Sequence, residues 1–325
     1  MIDLDVLIVG GGPGGSACAR RLIQNNVQCA ILDQAEFPRF KPCAGWITPE
    51  VVRDVGLKAT DYPHSFTTFT KLRVNINDFS LRLPTRQHAI RRVEFDHWLL
   101  ERSGAPFFHH AVKTIREEGG AYIIDERFRA RYLVGAGGTY CPVYRALFKA
   151  ASPKAREALI AGQEEEFPYE APSADCWLWF WKDLPGYAWY VPKANGYVNA
   201  GVGAWAEKLK TGGGSLKAHW ERLVEQLDHL GLVRDHAYQP SAHSYYLRQQ
   251  LPAVRIGNAF LIGDSAGLAT LDMGEGIGPA IHSGLRAAES ILTGRPYTLN
   301  GIRRYSQGPL LGRAVLGLYK AINRP

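Results

Sequence analysis

Gly10, Gly12 and Gly15 have the spacing at which a polypeptide can take up a dinucleotide. They follow the short apolar run LDVLIV (residues 4–9), of the kind that forms a buried parallel strand, and they open a helical pattern, SACARRLIQNN. In such a turn one glycine permits the tight reversal, the next lets backbone approach a pyrophosphate, and the third lets helix and strand pack closely. The N-terminus of the helix then presents N–H groups and a partial positive charge to phosphate. A second strand-like run, VQCAILD, ends in Asp33, whose carboxylate is placed to accept the hydroxyls of a ribose. These residues describe a nucleotide site and leave NAD and FAD both open.

A second concentration of chemistry lies between Asn258 and Ile291. There a buried strand, AFLIG, runs into Gly263-Asp264, a glycine-containing loop, and a helix opened by Gly274-Glu275-Gly276-Ile277. Gly263 to Gly267 also fit GxSxG, the turn that presents a hydrolase nucleophile. A triad in that order needs an acid and then a histidine from separate later strands. The histidine available downstream of Ser265 is His282, and Asp272 belongs to the same loop-and-helix unit, so the hydrolase reading is rejected. Metal chemistry is not expected either: the five cysteines are scattered without CxxC, and the ten histidines offer no HExxH.

The chain has 325 residues, 46% hydrophobic and 21% charged, which is the balance of a globular protein with one large domain or two interleaved ones. Collagen and disorder are excluded by aperiodic glycine and proline and an 11% aromatic content. No apolar run approaches the ~18 residues that span a bilayer, and the N-terminus lacks the flanks of a signal peptide. Cytoplasm is therefore the expected compartment. The net charge of +7 favours anionic cofactors or an anionic membrane surface. Lys/Arg blocks never exceed two residues, so no nucleic-acid partner is expected.

Four further stretches carry a resemblance. Arg92 to Leu99 (RVEFDHWL) matches R-x-x-F-D-x-x-L, and residues 130–145 (ARYLVGAGGTYCPVYR) match a strand-turn-helix GADGxxSxVR in which Gly137 replaces the usual Asp. Glu36 to Gly45 (EFPRFKPCAG) is similar to an FPRxKxCGG loop, and Gly186 to Lys193 (GYAWYVPK) to a YxWxFP motif. With the two glycine regions, these cover most of the chain and resemble the geranylgeranyl reductase family of FAD-dependent oxidoreductases. That family is related to para-hydroxybenzoate hydroxylase and the flavin halogenases.

The resemblance implies an FAD site made by Gly10, Gly12, Gly14, Gly15, Asp33, Arg39, Arg92, Val112, Asp264, Gly276 and Ile277. Arg92 would reach the pyrophosphate, Asp264 the ribityl chain, and the helix opened at Gly276-Ile277 the pyrimidine end of the flavin. Cys43 would lie at the flavin edge, with Arg39 and Lys41 favouring its thiolate. Tyr187 and Trp189 would shape the substrate face, within an aromatic-rich stretch that begins at Cys176-Trp177-Leu178-Trp179-Phe180-Trp181. Strand alternation lets one row of these rings wall a cavity while the other packs away from it. The implied reaction is hydride transfer from reduced flavin N5 to a carbon–carbon double bond of an isoprenoid or other apolar substrate. A substrate with few polar groups must draw its affinity from burial, at ~25 cal/mol per Å².

The chain carries one GxGxxG, so the implied electron donor is external: NAD(P)H in transient contact, a ferredoxin or a quinol. The alternatives are a flavin-dependent aromatic monooxygenase or halogenase and a non-catalytic flavin electron-transfer module. Gly137 in place of Asp counts against the hydroxylase-like use of nicotinamide, and Tyr187 stands where halogenases have the first Trp of WxWxIP.

These groups require particular elements to position them. The expected fold is α/β: a Rossmann-like FAD-binding domain of the glutathione-reductase type, interleaved with a mostly antiparallel substrate-domain sheet. Residues 1–64, 87–150 and 253–297 are expected to form the nucleotide domain. Residues 65–86 and 151–252 are expected to form the cap, with a helix near 215–229 after the break at Gly212-Gly213-Gly214. Residues 298–325 read as a basic amphipathic helix, expected to pack on the protein, with peripheral membrane contact as the alternative. The chain reads as a short family member with a reduced C-terminal subdomain.

Overall fold

The buried run Val6 to Val9, polar only before it, makes the first strand the centre of a sheet covered on both faces. A computed structural model describes residues 1–306 and Gly317, apart from residues 59, 60 and 78. The elements run in the order β1 (Ile2–Val9), α1 (Pro13–Ile23), β2 (Cys29–Asp33), β3 (Trp46–Ile47), α2 (Pro49–Asp54), β4 (Thr67–Ile76) and β5 (Phe79–Ala89). Next come α3 (Arg92–Ser103), β6 (Phe107–His109), β7 (Ile115–Glu118), β8 (Ala121–Ile124) and β9 (Phe128–Gly135). They continue with β10 (Leu159–Pro168), β11 (Cys176–Phe180), β12 (Gly186–Lys193), β13 (Tyr197–Trp205), α4 (Ala206–Thr211) and α5 (Leu216–His229). The last are β14 (Ser241–Tyr246), β15 (Arg255–Ile256), β16 (Ala259–Leu261) and α6 (Ile277–Thr293).

The first sheet has the order β15-β16-β9-β1-β2-β6, with the β7-β8 hairpin joined to β9. Its central pairs, β16-β9, β9-β1, β1-β2 and β2-β6, are all parallel. The chain moves outward from β1 through β2 to β6, then returns to the other side with β9 and β16. That reversal opens a crevice at the carboxyl ends of the strands, where doubly wound folds bind nucleotides. One face carries Leu7, Leu32, Leu133 and Phe148. The other carries Ile8, Ile31, Val134 and Phe260 beneath α1 and α6. The two helices touch through glycine: a Cβ on Gly284 would stand 2.2 Å from the carbonyl oxygen of Gly14, so larger residues would force the helices apart.

The second sheet has the order β14-β10-β13-β12-β11-β4-β5-β3; the pairs from β10 to β11 and from β4 to β3 are antiparallel, and β11 meets β4 in parallel. Its helix-covered face packs Tyr190, Val202 and Trp179 against Trp220, Leu223 and Leu227 of α5. The Oγ of Ser215 accepts from the amide of Ala218 at 3.1 Å, which starts α5 directly after the expected glycine break.

The chain divides into two units, one of residues 1–39, 93–155 and 245–306, the other containing 40–92 and 156–244. These boundaries differ from the expected ones in four places. Residues 40–64 go with the second unit because β3 pairs with β5, Trp46 opposite Ala89 and Ile47 opposite His88. Residues 87–92 follow because β5 runs on to Ala89. Residues 151–155 and 245–252 go with the first unit: Ser152 Oγ donates to the carbonyl of Ala253 at 2.9 Å, and the amide of Ala155 donates to Gln249 Oε1 at 2.7 Å. Residues 298–306 are irregular rather than helical. The Arg286 guanidinium donates to the carbonyls of Thr298 and Asn300, and Asp272 accepts from the amide and hydroxyl of Ser306. The rest of the expected C-terminal helix lies outside the described residues, Gly317 aside. No helix among the described residues is long and apolar enough to cross a membrane.

Candidate functional site

In the first unit the expected nucleotide residues gather at the carboxyl ends of β1, β2 and β16. Gly10 has φ +119°, and a Cβ there would lie 2.3 Å from the carbonyl oxygen of Ala136. Gly12 caps α1 in extended conformation, and the nearest atom to a Cβ on it is Arg39 Nη2 at 3.5 Å. The glycine loop and Arg39 are thus neighbours. The guanidinium lies 3.4 Å from the buried carboxylate of Asp96 and 4.7 Å from the Phe37 ring centre. Asp33 Oδ2 accepts from the amide of Gly11 at 2.8 Å, and its Oδ1 accepts from the amide of Ala35 at 2.9 Å. The carboxylate therefore stiffens the loop as well as marking the end of β2.

Asp264 follows β16 in a one-turn 3-10 segment, Gly263–Ala266. Backbone bonds hold this turn: the amide of Gly267 donates to the Asp264 carbonyl at 3.1 Å, and Lys154 Nζ donates to the same oxygen at 3.1 Å. Among the described residues none hydrogen-bonds to its carboxylate, which stands beside Gly276 at the start of α6; a Cβ on Gly276 would lie 3.2 Å from Oδ1. A half-buried carboxylate without a donor among the described residues, beside a helix N-terminus and at the same sheet end as the glycine loop, fits a dinucleotide-linked group rich in hydroxyls. The residues present therefore suit FAD.

Two residues here were not foreseen from sequence. Burial lowers the Lys154 ammonium to about 8, against the pull of Asp264. It lies over the rings of Tyr144 and Tyr246, 4.2 and 5.0 Å from their centres. Glu275 is raised to about 7 by burial, although the amide of Gly278 donates to its Oε1 at 2.6 Å. Lys154 belongs to no recognisable motif, and although Glu275 lies in the stretch that opens α6, nothing in that stretch gives its carboxyl a role; the folded loops bring both to Asp264.

The remaining nucleotide candidates are placed as follows. Arg92 is buried at the first turn of α3. Val112 is partly buried against the Leu7 cluster, so its side chain is committed to the core and only its backbone is available to a ligand. Ile277 begins α6. At Gly137 a Cβ would meet Cys141 Cα at 3.2 Å and Pro142 Cδ at 3.3 Å, so the missing Asp belongs to a tightened turn. Ser265 is buried and its Oγ donates to the carbonyl of Gly138 at 3.2 Å, tying two loops together rather than standing as a nucleophile.

In the second unit, strand register sorts the aromatic residues. Trp177 pairs with Tyr190 and Trp179 with Ala188, which puts both tryptophans on the face covered by α5. Tyr187 and Trp189 point to the opposite face by alternation. There Phe180, Tyr187 and Trp189 form a row, with ring centres 5.8 and 5.6 Å apart. Trp189 Nε1 donates to Asn199 Oδ1 at 2.6 Å, and the indole lies so close over Gly201 that a Cβ there would sit 2.3 Å from it. Cys43 is half-buried, and its Sγ accepts from the amide of Gly45 at 3.3 Å.

The same face holds charged groups from Glu164-Glu165-Glu166, a run that no motif singles out. Alternation in β10 turns Glu164 and Glu166 inward beside Asn199 and Gly201 of β13. Glu164 is fully buried, and His243 Nδ1 lies 3.5 Å from its Oε1. Burial raises the Glu164 carboxyl to about 7, against the pull of Lys193 and Asn199. Burial lowers the His243 imidazole to about 4.

A carboxyl raised in the folded state holds its proton more tightly there than in the unfolded chain. Its contribution to stability therefore falls as pH rises from the unfolded value of 4.5 through about 7. Above that range the ionised form costs about 3 kcal/mol. Glu164→Gln is expected to gain stability over wild type at pH 8 and to match it near pH 4, measured by urea midpoints. Equal midpoint differences at both pH values would sink this reading.

A family profile described as FAD binding domain matches residues 3–291. Menaquinone reductase of Mycobacterium tuberculosis is 27% identical over 323 residues, covering 88% of this chain and 76% of that protein. Digeranylgeranylglycerophospholipid reductase 2 of Methanosphaera stadtmanae is 25% identical over 347 residues, covering 94% and 82%. The crystal structure of a geranylgeranyl bacteriochlorophyll reductase-like protein from Thermoplasma acidophilum aligns with a TM-score of 0.76 at 21% identity, covering 99% and 84%, and shares the fold.

Proposed function

The chain belongs to the FAD binding domain family of flavin-dependent oxidoreductases, and from that premise we propose that it reduces carbon–carbon double bonds of an isoprenoid or similarly apolar substrate. Gly10, Gly12, Gly15, Asp33, Arg39 and Asp264 would hold FAD, with Arg92 and the start of α6 completing its binding. FAD, once bound and reduced, would supply the hydride. Reducing equivalents would come from a transient donor, NAD(P)H, a ferredoxin or a quinol.

The observation that carries the substrate class is the row Phe180, Tyr187 and Trp189. Trp189 is fixed by its hydrogen bond to Asn199 and by the glycine beneath it, so the row keeps its shape when nothing is bound. Phe180 and Trp189 are buried and Tyr187 is partly exposed, so an alkyl chain would meet the row at Tyr187, against a rigid aromatic backing that loses little entropy on binding. The reductase names of the two relatives support the same direction, since each acts on a quinone or a lipid by its printed name.

The test is anaerobic. FAD-loaded protein is reduced with dithionite, mixed with a polyprenyl lipid, and followed by flavin absorbance and by the mass of the extracted lipid. Reoxidation of the flavin with gain of a hydrogen pair by the lipid is expected. A flavin that stays reduced with the lipid and reoxidises only once oxygen is admitted, with hydroxylation of an added aromatic acid, would replace the reductase by a monooxygenase.

A further inference from the structure

We propose that Lys193 is a positioning residue that fixes the Cys43 loop through its backbone carbonyl. The Lys193 side chain is fully buried at the end of β12. It makes a short ion pair with Glu166 Oε2, and its Nζ donates to the carbonyl of Cys43 at 3.3 Å. Arg91 Nε donates to the other oxygen of Glu166 at 2.9 Å, and its guanidinium lies 3.5 Å from the Tyr197 ring centre. Glu166 therefore sits between two cations and is itself almost wholly buried.

The loop is shaped to receive this contact. Gly45 has φ +68° and pairs with the chain leading to α3, accepting from the amide of Ile90 at 2.9 Å. A Cβ at Gly45 would stand 2.0 Å from the carbonyl oxygen of Ile90 and 2.9 Å from Lys193 Nζ. Glycine thus lets the loop lie against both the strand and the ammonium.

Burying an ammonium and a carboxylate together is a poor way to gain stability, because their desolvation offsets their attraction. What the arrangement does supply is register: a charged donor of fixed position, aimed at one carbonyl of the loop that carries Cys43. The role in catalysis rests on the reading of Cys43 as the residue at the flavin edge. The positioning itself does not, and it is tested separately.

Cys18, Cys29, Cys141 and Cys176 are buried, so alkylation of the holoenzyme by iodoacetamide reads Cys43 first. Lys193→Met is expected to raise the labelling rate at Cys43 about tenfold or more, the scale of one lost charge-assisted hydrogen bond. The other four cysteines should stay unlabelled, and Lys193→Arg should restore most of the protection. If Lys193→Met does not fold, Glu166→Gln keeps the shape, frees the ammonium from its counter-ion and should show the same selective rise. An unchanged rate at Cys43, or a parallel rise at all five cysteines, overturns the proposal. These outcomes hold whether or not the wild type reduces an alkene, so the failure of one reading is distinct from the failure of the other.

Discussion

Asp264→Ala is expected to purify as a folded protein that retains little or no FAD. Its turn is held by the backbone, through Gly267 and Lys154 bonded to the Asp264 carbonyl, so removing the side chain leaves the local fold intact. No described residue donates to the carboxylate, so no hydrogen bond to a described residue is lost either. What disappears is a negative acceptor at the sheet end where the glycine loop and Asp33 also lie. A hydrogen bond to a charged group contributes about 1.5–3 kcal/mol, and a carboxylate on a polyol makes more than one. The expected loss of FAD affinity is therefore about a hundredfold or more. Equilibrium titration of apoprotein with FAD, followed by fluorescence quenching, measures it. Wild-type affinity in the variant would remove Asp264 from the site.

The nucleotide half of the molecule was legible because its chemistry is local. Gly10 to Gly15, a strand before them and a helix after them are contiguous in sequence, and the steric need at each glycine can be argued before the fold is seen. Asp33 was legible for the same reason, since it ends β2, whereas Asp264 lies in the turn after β16 and was singled out by the resemblance of its Gly-Asp stretch. The aromatic residues were only half legible. Alternation says that Trp177 and Tyr187 point to fixed sides of their strands, but which side α5 covers depends on register across β11, β12 and β13. The acidic run at Glu164 to Glu166 was opaque, because such a run is usually a solvated face. It becomes a buried network only when Lys193, Arg91 and His243 arrive from other parts of the chain. Lys193 itself lay in the recognised stretch ending at Lys193, yet its partner at Cys43 is 150 residues away in sequence.

Gly15→Ala and Gly12→Ala are expected to fail in different ways, and the contrast separates binding from stability. At Gly15 a Cβ would lie 1.9 Å from the carbonyl oxygen of Gly10 and 3.2 Å from Ile8 Cγ2. Both belong to the turn and strand that the helix must approach, and neither is the far end of a flexible side chain. The clash can be relieved only by moving α1 away from β1, in the most buried part of the first sheet. Overpacking of this kind costs about 3 kcal/mol or more, so the urea midpoint of the apoprotein should fall and FAD binding should fail with it. At Gly12 the nearest atom to a Cβ is 3.5 Å away, and the backbone is in an extended conformation open to any residue. Alanine there should leave the apoprotein midpoint within about 0.5 kcal/mol of wild type. It should still weaken FAD strongly, because the methyl group occupies the space through which backbone meets the pyrophosphate. Wild-type FAD affinity in Gly12→Ala would mean that the pyrophosphate does not approach the loop at this residue. An unchanged midpoint in Gly15→Ala would mean that helix and strand are not held at the separation described.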